Sequence, residues 1–438
     1  MRIHSHFLFK KINKFRLTDF LSFFSTGLRT VTILLITFLL SNFLVYCSGS
    51  KRFTSEENFY REEFKPESNS VRVLLDEKPA ALYITLQNKV YLLNEKKKIA
   101  EINKGNTLEC YNQSDLLSIK IGRKNFSGKY FQLIPTEGKS IKYNGRSYKG
   151  SLRIVSSGTT VELINFVDLE NYLKGVIAKE MPLGNGNDNY EALKAFVICA
   201  RTYALMKTEE GKLLFDIFPD TRDQVYAGES AEQIISNRAV EETSGTILLY
   251  KDSPAKVYYH STCGGVNENV ENVFPQEPVP YLISIIDGDE PFCKISPRFE
   301  WEESYTEHQF IEKLFNANLI NNTDYKLDDV SISRRFPSGR VDDIKILLTG
   351  NEGLKEIHLY GNEIRTKIKT PEKDLSLWST LFDVEEGSGK NITIRGRGFG
   401  HGVGLCQWGA IGQSKQGITY DQILEHYFPG TVLGRIND

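Results

Sequence analysis

Three places in this 438-residue chain gather side chains that could do chemistry. Glu180 stands before Met181 and Pro182, beside a glycine and asparagine loop at 184–189. A carboxylic acid held among apolar groups keeps its proton and can donate it. Left in water, the same residue is an ordinary surface carboxylate. His260, Ser261, Thr262 and Cys263 run into Gly264 and Gly265. His260, Cys263 and the distant Cys293 could hold Zn²⁺ with a fourth position open. In an exported chain the preferred alternative is a Cys263–Cys293 disulfide. The third place is 396–410, where six glycines surround His401 and lead to Gln407 and Trp408. Glycine at alternate positions allows positive φ and close approach of another molecule. No G-x-G-x-x-G and no Gly-Lys-Ser/Thr can be read there, which excludes dinucleotide and phosphate-loop fingerprints. The stretch therefore frames a polar, uncharged ligand, or is a glycine-rich turn between a strand and a helix.

These residues need elements to hold them. The segment 168–182 reads as a short helix stopped by Pro182. Residues 190–207 form an amphipathic helix, with Leu193, Phe196, Val197, Ala200 and Ala204 on one face. Arg201 lies one step off that face, where it either points into a cleft or makes a structural ion pair. Further helices are expected at 230–243, 305–320, 410–416 and 420–428. Before them, short strand-like runs lie between 71 and 155, separated by turn signals such as Asn144-Gly145. Later strands are expected at 246–250, 255–260, 330–333, 341–348, 356–360 and 391–395. The fold class is α+β: a mixed helical and β catalytic domain with an additional β-rich region.

The N-terminus carries Lys10, Lys11, Lys14, Arg16 and Arg29 ahead of an apolar run from Val31 to Tyr46. This is the form of an export signal. The run nears the length of roughly 17 residues that spans a bilayer, so it can stay as an anchor. Cys47 follows directly and opens a lipoprotein reading, against which the bulky Tyr46 counts. The expected organisation is a signal or anchor at 1–47, a polar linker at 48–70, a β-rich module at 71–160 and a catalytic domain at 161–438. An inserted segment near 301–390 interrupts that domain. A net charge of −2 gives no footprint for nucleic acid. Six scattered cysteines without a C-x-x-C are not a disulfide scaffold.

Five motifs in order carry a resemblance. They are 168–182 with Glu191-Ala-Leu-Lys-Ala and Ala200-Arg-Thr-Tyr-Ala; Asp220-Thr with Gln224-Val-Tyr-Ala-Gly; His260-Ser-Thr-Cys-Gly-Gly; 396–410; and Tyr420-Asp-Gln-Ile-Leu with Tyr427-Phe-Pro-Gly-Thr. Together they resemble the stage II sporulation protein D family (SpoIID/LytB) over roughly 71–433. The resemblance implies action on bacterial peptidoglycan, as a lytic transglycosylase or as an amidase enhancer that binds glycan without cutting it. It implies Glu180 as the catalytic acid, and it allows zinc in some members near the His-Ser motif. Arg201, Tyr203, Gln224, Tyr226, His260, Ser261, His401 and Gln407 are the expected substrate contacts. The implied partners are glycan strands, a cell-wall amidase and the membrane, in the cell envelope. Two departures stand out: the 184–189 loop, and Ala195-Phe-Val where the family carries Ala-Gln-Ala. The lost glutamine predicts a different substrate-facing wall.

Overall fold

The computed structural model describes residues 69–78, 80–113, 116–136, 140–184, 188–212, 214–351 and 353–436. The export signal or anchor, and nearly all of the linker, lie outside these. Among the described residues no helix is long and apolar enough to cross a membrane. The architecture is α+β, with seven helices among many short strands in the described residues.

A six-stranded antiparallel sheet runs in the order Ser70–Lys78, Thr160–Asp168, Ser151–Ser157, Tyr130–Pro135, Val90–Asn94, Lys97–Ile102. Strand Thr160–Asp168 is buried along most of its length, and the apolar run Val161–Val167 explains this. It touches the four-stranded sheet of Ala81–Thr85, Thr107–Gln113, Leu116–Ile121 and Lys124–Gly128, and also the first helix. A strand covered on both faces loses the usual alternation. One hydrophobic core extends from Val71 to Phe428, across residue 160.

Helix α1 (Leu169–Glu180) starts where the Asp168 carboxylate accepts the Asn171 N–H at 3.0 Å. It ends on Glu180 because Pro182 disfavours helical φ/ψ at Met181, which is extended. Helix α2 (Tyr190–Glu209) differs from the amphipathic expectation. Nearly every residue from Tyr190 to Ala204 is buried, Arg201 and Thr202 included. The cause is crowding: α1, α3 (Ile234–Glu242), α6 (Gln407–Lys415), α7 (Tyr420–Tyr427) and three strands all pack on it.

The insert has its own core, from Trp301 to Ile394. It holds α4 (Glu307–Asn316), α5 (Glu363–Lys367), the meander Lys326–Arg335, Val341–Gly350, Gly353–Tyr360, and the sheet Glu300–Tyr305, Ile392–Arg397, Phe382–Glu386. A groove of about 800 Å³ lies here, lined by Trp301, Arg335, Phe382, Asp383, Arg395 and Arg397. No residue around Glu180 lines it.

The strand expected at 255–260 is reduced to Tyr259–His260, which pairs in parallel with Leu405–Cys406. That bridge lays the glycine stretch against the His260 loop. Gly404 shows why glycine is needed: its φ is +74°, and a Cβ there would sit 2.2 Å from the Tyr258 carbonyl oxygen. At Gly402 a Cβ would sit 2.7 Å from the Arg340 guanidinium. At these positions the close approach is made by the protein itself, not by a ligand.

Candidate active site

Glu180 closes α1 half-buried. Its Oε1 accepts the Val225 N–H at 2.5 Å, and Oε2 meets no donor among the described residues. Burial holds the carboxyl above the ordinary glutamate range; the Val225 hydrogen bond opposes this without cancelling it. The Gln407 side chain donates to the Glu180 carbonyl at 2.9 Å, tying the helix end to the first turn of α6.

Two phenols that the sequence reading did not single out flank the carboxyl. Tyr172 lies two turns earlier on α1, the same face at i−8, a spacing that could have identified it. Burial, then the nearby Tyr226 and Glu180, raise its hydroxyl well above the usual tyrosine value. Burial and the Glu180 charge do the same at Tyr259. The Tyr259 hydroxyl is buried beside Gln224 and meets no partner in hydrogen-bond geometry among the described residues. Behind it the Phe196 ring packs edge-on at 4.9 Å. Phe196 stands where the family pattern carries glutamine, so this wall is apolar.

Asp223 is the other carboxylate whose charge acts on the Tyr172 hydroxyl. It is occupied, accepting the Tyr203 hydroxyl at 2.8 Å and the Phe218 N–H at 2.9 Å, with Lys207 at 3.3 Å. Of these two carboxylates, only Glu180 keeps an oxygen without a partner among the described residues.

Several expected substrate contacts belong to the interior instead. Arg201 is fully buried: Nε and Nη2 donate to the two Glu170 oxygens at 2.8 and 2.7 Å, and Nη1 and Nη2 reach the carbonyls of Thr246 and Val240. It is a structural ion pair, because α2 is enclosed on every side. The Gln224 side chain is buried and accepts the Tyr172 hydroxyl at 3.0 Å. Tyr226 is buried too, donating to Asn165 at 2.8 Å, its ring 5.0 Å from Tyr172. A Cβ at Gly175 would come 2.6 Å from that ring, which accounts for a glycine inside α1. Tyr203 is buried except at one edge and packs 6.1 Å from Tyr259, so it supports the wall from behind.

The histidines act on the backbone. His401 Nδ1 accepts the Val403 N–H at 3.1 Å, which leaves the proton on Nε2 to donate to the Tyr259 carbonyl at 2.8 Å. Burial, then the Arg365 charge, press its pKa down to about 3. His401 is thus a strut that ties Tyr259 to Val403 through its two ring nitrogens. His260 is buried, its Nδ1 3.1 Å from the Val403 carbonyl and its Nε2 without a partner among the described residues. Ser261 is half-buried; its hydroxyl lies 3.4 Å from that of Thr262, and its carbonyl accepts the Trp408 N–H.

The expected metal set is also rearranged. His260 does not join the cysteines. The Cys263 and Cys293 sulfurs lie 3.4 Å apart as free thiols, and Cys406 and Asp287 complete the group.

Comparison with known proteins bears on this arrangement. A profile described as "Stage II sporulation protein" matches residues 157–250, and one described as "Domain of unknown function (DUF8618)" matches 294–404, the insert. Stage II sporulation protein D of Bacillus subtilis is 30% identical over 291 residues, spanning 63% of this chain and 77% of that protein. This chain belongs to the stage II sporulation protein D family. An uncharacterised protein of Brachyspira hyodysenteriae is 32% identical, over 66% of this chain and 73% of its own length. The amidase enhancer of Bacillus subtilis is 29% identical over 72% of this chain, which spans about half (49%) of that longer protein. The first profile begins at the end of strand Ser151–Ser157 and closes with strand Thr246–Tyr250, so Glu180, Tyr172 and Val225 all fall within it.

Proposed function

We propose that this family member is an exported cell-envelope protein that cuts peptidoglycan glycan strands as a lytic transglycosylase, with Glu180 as general acid and base. The observation carrying this is the half-buried Glu180 carboxyl, its pKa raised by burial, fixed through one oxygen and free at the other. In the first half of the reaction, Glu180 donates its proton to the glycosidic oxygen as the bond to the sugar's C1 breaks. In the second, the sugar's own 6-hydroxyl attacks C1, and the Glu180 carboxylate takes the hydroxyl proton. The product is an internal anhydro ring, no water is consumed, and Glu180 returns protonated. One carboxyl suffices, unlike the paired scheme of hydrolytic glycosidases. The occupied state of Asp223 favours this single-acid route.

A second reading draws on the relative named an amidase enhancer. In it the same cleft binds glycan and stimulates a separate cell-wall amidase without cutting. The two part in one experiment. The chain is incubated with purified peptidoglycan, with and without stem peptides, alone and with a purified amidase. Strand shortening by the chain alone supports the transglycosylase. Saturable binding, no shortening and faster release of stem peptides by the amidase overturn it in favour of the enhancer.

A further inference from the structure

We propose that Cys263, Cys293, Cys406 and Asp287 form a structural zinc site, distinct from the Glu180 cleft. One ligand atom from each lies within 4.8 Å of every other, and all four residues are buried. Tetrahedral zinc with bonds of about 2.3 Å to sulfur sets its ligand atoms roughly 3.8 Å apart. The 3.4 Å between Cys263 and Cys293 sulfurs is close to that edge.

The surroundings are those of metal-bound thiolates. The Cys406 sulfur accepts the N–H groups of Cys263 at 3.2 Å and Gly409 at 3.3 Å. The Cys263 sulfur accepts the Gly265 N–H at 3.4 Å. Backbone donors aimed at sulfur stabilise negative charge and orient the ligand, the usual work of an outer shell. Asp287 is positioned likewise: Tyr427 donates to Oδ1 at 2.5 Å, and the Cys293 N–H donates to Oδ2 at 2.8 Å. A cation is present nearby: buried Arg340, from the insert, donates to the carbonyls of Cys263 and Val266 at 2.6 and 3.1 Å. Three thiolates and a carboxylate carry four negative charges, of which Arg340 and a divalent ion together offset three. As the zinc–sulfur bonds form, the three thiols release their protons to solvent.

The site joins three distant stretches: the His260 loop, the 287–293 segment and the N-terminus of α6. Cys406 caps α6 directly before Gln407, which holds the Glu180 carbonyl. Zinc would therefore fasten the glycine stretch behind the cleft. The assignment is independent of whether Glu180 cuts glycan, because metal content is read without any assay of activity.

The test uses the full chain, purified in detergent without chelator, with metal counted by plasma mass spectrometry. One zinc per chain is expected. Removal by chelator and titration with Co²⁺ should give the visible bands of tetrahedral cobalt with strong sulfur charge transfer, displaced by one equivalent of Zn²⁺. Cys406→Ser and Asp287→Asn should weaken retention at least tenfold, whereas His260→Ala should keep full stoichiometry. The cobalt spectrum of the unmutated chain decides the matter even where a cysteine variant fails to fold. A metal-free protein with a Cys263–Cys293 disulfide, a cobalt spectrum without sulfur bands, or loss of metal in His260→Ala would each overturn the assignment.

Discussion

At the scale of single residues, burial separates the groups that act from those that hold. Glu180 has a free oxygen and a carboxyl raised by burial. Replacing it by Gln keeps an oxygen for the Val225 N–H but removes the proton, so cleavage should fall by about a hundred- to ten-thousand-fold. In the proposed mechanism the acid form is the active one, so activity should decline as pH rises through the folded pKa, with an alkaline limb above the ordinary glutamate value of about 4.3. Stability carries the same sign: a raised folded pKa means that ionisation costs more in the native state. The native protein should therefore lose stability as pH climbs from the unfolded toward the folded pKa, and Glu180→Gln should lack that loss. Melting curves at pH 4 and pH 8 check this; a wild-type loss that persists in the variant would contradict it. Arg201 is the opposite case. Its guanidinium, fully buried, is bonded to Glu170 and two carbonyls. Arg201→Ala should cost about 3–5 kcal/mol in urea unfolding, as breaking a buried pair does. The surviving folded fraction should keep its affinity for glycan; a weakened affinity with full stability would return Arg201 to the cleft.

At the scale of elements, the local rules that the sequence states openly were obeyed. Pro182 ended α1 on Glu180, and Asn144-Gly145 turned the hairpin of Ile141–Tyr143 and Arg146–Tyr148 with positive φ at both residues. Helix α6 began earlier than its apolar pattern suggests, because the Cys406 sulfur caps Gly409. What the pattern could not state is how many neighbours surround an element. Arg201 looked peripheral on a one-faced helix, yet α2 is enclosed, so the flank became interior. The meeting of Cys263, Asp287, Cys293 and Cys406 was likewise hidden, since it depends on long-range packing and not on spacing. Strand contacts have their own liability. Gly404→Ala would strain a φ of +74° and press a Cβ against the Tyr258 carbonyl. A loss of about 2 kcal/mol or more is expected from the strained backbone and the clash together, measured by denaturant midpoint. An unchanged midpoint would show that the glycine stretch tolerates a side chain there.

At the scale of the whole molecule, two cores divide the labour. The first, from Val71 to Phe428, carries the Glu180 site; the second, from Trp301 to Ile394, belongs to the insert. Ile346, fully buried in the second core, tests their separation. Ile346→Ala should cost about 2–5 kcal/mol of stability while glycan cleavage, assayed below the unfolding transition, stays near the native rate. Loss of cleavage in a folded variant would show that the insert shapes the cleft. The central claim is narrower, that one carboxyl cuts glycan without water. It is tested most directly by digesting peptidoglycan in heavy-oxygen water and weighing the new strand ends. Anhydro ends without heavy oxygen, absent with Glu180→Gln, are the predicted result. Reducing ends that carry heavy oxygen, or anhydro ends that persist in Glu180→Gln, would contradict it.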